Sequence, residues 1–231
     1  ALTPRIQEAF LGRVGLLPQE SRTLLVVAAA DDTADPAIVF RAAANLGVRV
    51  DAMEAIEEAG LARVEPGGRL VFRHPLVRAS VYQGSTFLAR CAAHQALAGA
   101  LDGDDQVERR IGHLAAAALG PDENVAVELK RSAERSRQRG GHAVAALAFE
   151  RAAELSPAAA ERGQLLVAAA QEAFQAGQAE QAAELSRRAE PLVDDPDTDN
   201  KLTRLRGRIE FTRGSAVTAH ALLVAAARRN V

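Results

Sequence analysis

Three glycines, Gly140, Gly177 and Gly214, stand at equal intervals of 37 residues, and two alanine columns keep the same offset: Ala145, Ala182, Ala219 and Ala152, Ala189, Ala226. A fixed period of this length marks a repeat array, in which each unit buries its apolar face against the next. A larger residue recurs as Phe149 and Leu223, with Ser186 breaking the middle copy. One helical pattern precedes each glycine and another follows, as in "AVELKRSAERSRQRGG" and "HAVAALAFERAAELSP". Glycine permits a tight turn and small alanines let two backbones approach closely, so the period predicts antiparallel helix pairs over residues 122–231. Pro157 ends the second helix of the first pair. The competing explanation is chance, since an alanine-rich chain matches alanines often.

Composition agrees with close-packed helices. Aromatic residues make up only 3% of the 231 residues and tryptophan is absent, while 48% apolar and 25% charged content are those of an ordinary globular chain. A net charge of -2 gives no global attraction to nucleic acid or to an anionic membrane. Lys130 and Lys201 are the only lysines among 28 basic residues, which reads as the coding bias of a GC-rich bacterium. The single Cys91 permits no internal disulfide and suits the cytoplasm. Apolar runs such as "LLVVAAA" are far shorter than the roughly 20 residues a bilayer span needs. The opening "ALTPRIQEAF" puts two charges where a secretory signal would be apolar.

The glycine, alanine, phenylalanine, alanine, proline order resembles the tetratricopeptide repeat, whose usual length is about 34 residues. The copies here are longer and lack the large aromatic of the first helix, as in degenerate repeats of bacterial regulators. The resemblance implies a concave surface built by the first helix of each pair. Its groove positions fall on Lys130, Glu134, Arg137 and Gln138, then Gln171, Phe174 and Gln175, then Arg204, Arg208 and Phe211. Phe174 and Phe211 are again 37 apart and are expected to stack along one face. The alternative is that both fill gaps in the core, where large apolar residues usually lie.

The first part of the chain follows a different pattern. Helices are expected over "PQESRTLLVVAAA", over "AIVFRAAANLG" after Asp35 and Pro36, and over "VDAMEAIEEAG" as far as Gly60. "LARVEPGGRLVFR" then gives two short alternating runs about a Pro-Gly-Gly turn, a β-hairpin. Three helices followed by a hairpin is the order of a winged helix. The third helix, residues 48–60, carries Arg49 against Asp51, Glu54, Glu57 and Glu58, which would repel the phosphates of a duplex. Positive charge collects instead in residues 61–95, at Arg63, Arg69, Arg73, Arg78 and Arg90 against Glu65 alone. Such a basic wing could meet an acidic domain, a nucleotide phosphate or DNA.

Motifs for self-contained chemistry are missing. Neither lysine follows a glycine, which excludes the phosphate-cradling P-loop, and there is no G-x-S-x-G, H-E-x-x-H or C-x-x-C. His74, His94, His113, His142 and His220 have no second ligand at helical or hairpin spacing, so no metal site is expected. No catalytic residue is assigned.

The series "FRHPLVRASVY", "AHQALAGAL" and "HLAAAALGPDENVAVELKRSAERSRQRGGHAVAALAFERAAELSP" resembles the middle of the large ATP-dependent, MalT-like LuxR-family transcriptional regulators of actinobacteria, members of the STAND class of signal-transducing NTPases. That family implies an ATPase core binding ATP or ADP, a winged helix, a helical-repeat sensor and a helix-turn-helix domain that binds DNA. The P-loop and the helix-turn-helix are not in this chain, which therefore reads as an excised segment with no cofactor of its own. In the class, a histidine at the end of the winged-helix hairpin approaches the phosphates of ADP, followed by an aspartate and two apolar residues. "RHPLVR" keeps His74, beside Arg73, and the apolar pair Leu76 and Val77, but has Pro75 in place of the acid. The alternative is a histidine that only packs where hairpin meets helix.

The resulting expectation is a mainly α chain. A winged-helix-like module over residues 1–84, with a short β-hairpin, precedes connecting helices over 85–121 and tetratricopeptide-like repeats over 122–231. Its function is expected to be regulatory and non-catalytic. Its partners would be the ATPase core and helix-turn-helix domain in cis and an inducer or partner protein at the repeats. It would contact DNA only through the absent domain, with no membrane contact. Two rival readings are a protein-interaction scaffold of a cyclase or kinase-type regulator and a DNA-binding winged helix.

Overall fold

The computed structural model describes residues 10–228 and is mainly helical, with one two-stranded antiparallel sheet among the described residues. The chain divides into two compact units between Leu119 and Gly120.

In the first unit, α1 occupies residues 10–16 and is followed by α2 (Gln19–Ala30), α3 (Pro36–Asn45) and α4 (Ala52–Glu58). The start of α3 is set locally. The Asp35 carboxylate accepts from the Ala37 N–H at 2.9 Å, and Pro36 supplies a first residue with helical φ. Gly60, at φ 62°, ends α4 and turns the chain into β1 (Ala62–Glu65). β1 pairs with β2 (Arg69–Phe72) in the register Ala62 to Phe72 through Glu65 to Arg69, the turn resting on Gly68 at φ 71°. α5 (Pro75–Gly84), α6 (Phe87–Ala100), a 3-10 turn (Asp104–Gln106) and α7 (Val107–Ala117) complete the unit.

Its core joins Leu24, Leu25, Ile38, Val39, Ile56, Leu61, Leu70, Val77 and Val81 to Leu97 and Leu101. α6 lies against α2 and α3 and supplies Ala93, Ala96 and Leu97, so part of the stretch expected as a connector is core of this unit. Each leucine removed from water contributes about 2 kcal/mol, which makes α6 integral to its stability.

The second unit contains α8 (Glu123–Gln138), α9 (His142–Leu155), α10 (Ala159–Gln175), α11 (Ala179–Ala189), a 3-10 turn (Glu190–Leu192), α12 (Pro196–Thr212) and α13 (Ala216–Arg228). Each helix packs against the next in sequence. The 37-residue period reappears as three matching turns. Gly140, Gly177 and Gly214 have φ of 78°, 78° and 89°. Each donates its N–H three residues back, to the carbonyls of Arg137, Phe174 and Phe211. The residue after each glycine donates five residues back, to Ser136, Ala173 and Glu210. This is the Schellman helix end, which saturates the last carbonyls of α8, α10 and α12.

The alanine columns occupy the contacts between helices: Ala145, Ala182, Ala152 and Ala189 are 0% exposed, and Ala219 and Ala226 are 1% exposed. The third column is less uniform. Phe149 and Ser186 are buried, whereas Leu223 is partly exposed and covers Gly207, where a Cβ would stand 2.8 Å from the leucine Cγ.

Candidate functional site

At the junction of hairpin and helix, Arg73 donates its N–H to the Leu61 carbonyl at 2.9 Å and closes the sheet. His74 follows in extended conformation, φ -151° and ψ 144°. Its Nδ1 accepts from the Leu76 N–H at 3.0 Å, and Pro75 takes the first helical position. The imidazole therefore does at the start of α5 what serine or aspartate usually does, and its Nδ1 must carry a lone pair to do so. His74 and Arg73 are both exposed.

Two pockets flank the hairpin. One, about 380 Å³, is lined by Asp31, Asp32, Arg69, Phe72, Pro75 and Arg78. The other, about 360 Å³, is lined by Glu57, Arg63, Glu65 and Arg73. Arg73 thus belongs to the second pocket, and His74 lines neither. Arg78 is held by the end of α2, donating to the carbonyls of Ala29 at 3.0 Å and Asp31 at 2.6 Å, an arrangement suited to the negative end of a helix dipole. Arg49 and Arg63 are paired with Asp51 at 2.9 Å and Glu65 at 2.7 Å.

In the second unit all ten expected groove residues lie on α8, α10 and α12. Lys130 of α8 pairs with Glu161 of α10 at 3.5 Å. The Arg208 guanidinium of α12 lies 4.7 Å from the centre of the half-buried Phe174 ring of α10. Cation and ring are within the range of a cation–π contact. Phe211 is 70% exposed and so fills no core gap. Glu134 is half-buried, while Arg137, Gln138, Gln171, Gln175 and Arg204 are exposed. A pocket of about 340 Å³ lies elsewhere in this unit, among Glu180, Arg187, Arg206, Ile209, Glu210 and Arg213, and includes none of the ten.

The most developed polar arrangement is one that sequence spacing misses. The Tyr82 hydroxyl is 2.7 Å from Nε2 of His94, and Nδ1 of His94 is 2.8 Å from Nδ1 of His113. The three rings link α5, α6 and α7. Both histidines are buried. Burial, reinforced by His113 and Arg90, pushes His94 down to about 4. Burial likewise holds His113 below the ordinary imidazole value, against the pull of Asp31 and Asp32. Two neutral rings result at neutral pH, and their Nδ1 contact requires one to donate and the other to accept. Nothing in the linear spacing of His94 and His113 signals this pairing. The available hint is that each sits inside an alanine-rich apolar stretch that had to be buried.

Comparison with protein-family models, with curated proteins and with solved structures gives no match for this chain.

Proposed function

We propose that this chain is the regulatory, signal-receiving and non-catalytic segment of a LuxR-family transcriptional regulator of the MalT-like, STAND class. In this reading residues up to about Gly84 form a winged-helix-like module and residues 122–231 a tetratricopeptide-like array. The observation that carries it is the set of three Schellman turns with the same bonds at the same 37-residue interval, with buried alanines at matching positions. Repetition of this kind makes stacked helix pairs, whose use is to present an extended surface to a ligand or partner. The exposed polar side chains of α8, α10 and α12, tied by Lys130 to Glu161 and by Arg208 to Phe174, supply that surface. At the other end, the arginines around the hairpin and His74 at the start of α5 suit an anionic group such as the phosphates of ADP, held by an ATPase core.

Activation is then a population shift between closed and open states, driven by ligand that binds one of them more tightly. A pull-down with wild type and with the double variant Phe174→Ala, Phe211→Ala tests the surface: the variant should lose its partner. Equal recovery by both would remove these side chains from the reading. Direct DNA recognition is a separate outcome, detected as a salt-dependent gel shift, because phosphate contacts weaken as salt rises. The acidic α4 argues against it.

A further inference from the structure

We propose that Asp31, Asp32 and His113 form a binding site for a divalent transition-metal ion of the zinc type, clipping the turn after α2 to α7. One ligand atom from each residue lies within 4.8 Å of the others. Ligand atoms around an ion with bonds of about 2.1 Å are about 3 to 4 Å apart, so the set lies within about 1 to 2 Å of closure. Two buried atoms point to a ligand there independently of the clustering. Nε2 of His113 and Oδ1 of Asp31 are both buried with no hydrogen-bond partner among the described residues, in side chains only 7% and 3% exposed. Buried polar atoms are normally satisfied, and a cation satisfies both at once.

The surroundings are already arranged as metal sites arrange them. Oδ2 of Asp31 is fixed by the N–H groups of Thr33 and Ala34 at 2.9 Å each and by the Thr33 hydroxyl at 2.7 Å, which leaves Oδ1 to the ion. Nδ1 of His113 is engaged by His94, and His94 in turn by Tyr82. If His113 donates through Nδ1, its Nε2 carries the lone pair that a metal requires. A ligating histidine whose other nitrogen is held in this way is the common outer-shell pattern. Asp32 is exposed and borders the pocket of about 380 Å³ beside the hairpin, which provides an entry path. One imidazole and two carboxylates suit zinc, cobalt or manganese, with coordination positions left for water. Arg109, 3.3 Å from Asp32, competes for the exposed carboxylate. The linear spacing of the histidines hides the site because its ligands come from the turn after α2 and from α7.

The test is a titration of the purified chain with Co²⁺, following its visible absorption and its displacement by Zn²⁺. Wild type should show a saturable band for a single ion. Asp32→Asn should bind at least about tenfold more weakly, and Arg109→Gln more tightly, since it removes the competitor. Both changes are at partly or fully exposed side chains, so circular dichroism should match wild type, whereas His113→Gln risks the fold. Absence of a saturable band, or titrations of wild type and both variants that superimpose, would overturn the proposal.

Discussion

Lowering the pH from about 7 to about 5 is expected to weaken the first unit through His94, and the size of the effect follows from its surroundings. Burial, with His113 and Arg90 adding repulsion, takes this imidazole from 6.5 to about 4 on folding. Between those values the unfolded chain binds more protons than the folded one. Stability is therefore full above about 6.5, falls as pH drops, and levels off below about 4. The whole interval corresponds to about 3 kcal/mol, of which about 2 kcal/mol is expressed by pH 5, a sizeable share of a typical domain's total. His113, lowered for the same reason, acts in the same direction. The assay is urea denaturation followed by tyrosine fluorescence. Tyr82 is the sole tyrosine and the chain has no tryptophan, so the signal reports this cluster. His94→Gln keeps the background titration of the carboxylates and removes this one. A loss in wild type no larger than that in His94→Gln between pH 7 and 5 would show that His94 does not carry the pH dependence.

Three further outcomes rest on backbone geometry. At Gly163 a Cβ would stand 2.7 Å from the Leu192 carbonyl oxygen, an atom that cannot swing away, so Gly163→Ala should cost about 1 to 3 kcal/mol in a thermal melt of the second unit. Gly177→Ala meets no neighbour within 4 Å but must adopt a φ of 78°, and about 1 kcal/mol is expected from that strain alone. Asp35→Ala removes the bond to the Ala37 N–H and should cost the first unit about 1 kcal/mol by urea denaturation, with Asp35→Asn restoring most of it.

What was legible in the sequence was what is decided locally or by period. Asp35-Pro36, the Pro-Gly-Gly turn and the glycines at 140, 177 and 214 act through neighbours a few residues away, so their types announce a cap, a hairpin and three helix ends. The repeat register also placed Phe174 and Arg208 on first helices. It did not foresee that the Arg208 guanidinium would lie over the Phe174 ring, because that contact depends on how α10 meets α12. The relay of Tyr82, His94 and His113 was illegible for the same reason. Ligand-spacing rules compare residues within one helix or hairpin, whereas these rings come from three helices, and Asp31 lies 82 residues before His113. His74 lies between the cases: its place before Pro75 signals a helix start, and the bond to Leu76 shows that one nitrogen is spent on that task.

That division of labour makes His74 the position at which the regulatory reading is tested most directly. On the proposed reading, release of labelled ADP from a protein carrying this segment with a nucleotide-binding core would be followed by filter binding for wild type, His74→Ala and His74→Asn. Asparagine can accept the Leu76 N–H as the histidine does, so it preserves the helix start and removes only the imidazole. If His74 holds nucleotide in the closed state, both variants release ADP faster and raise basal activity. Release from His74→Asn at the wild-type rate would contradict the account and leave His74 as a helix cap alone.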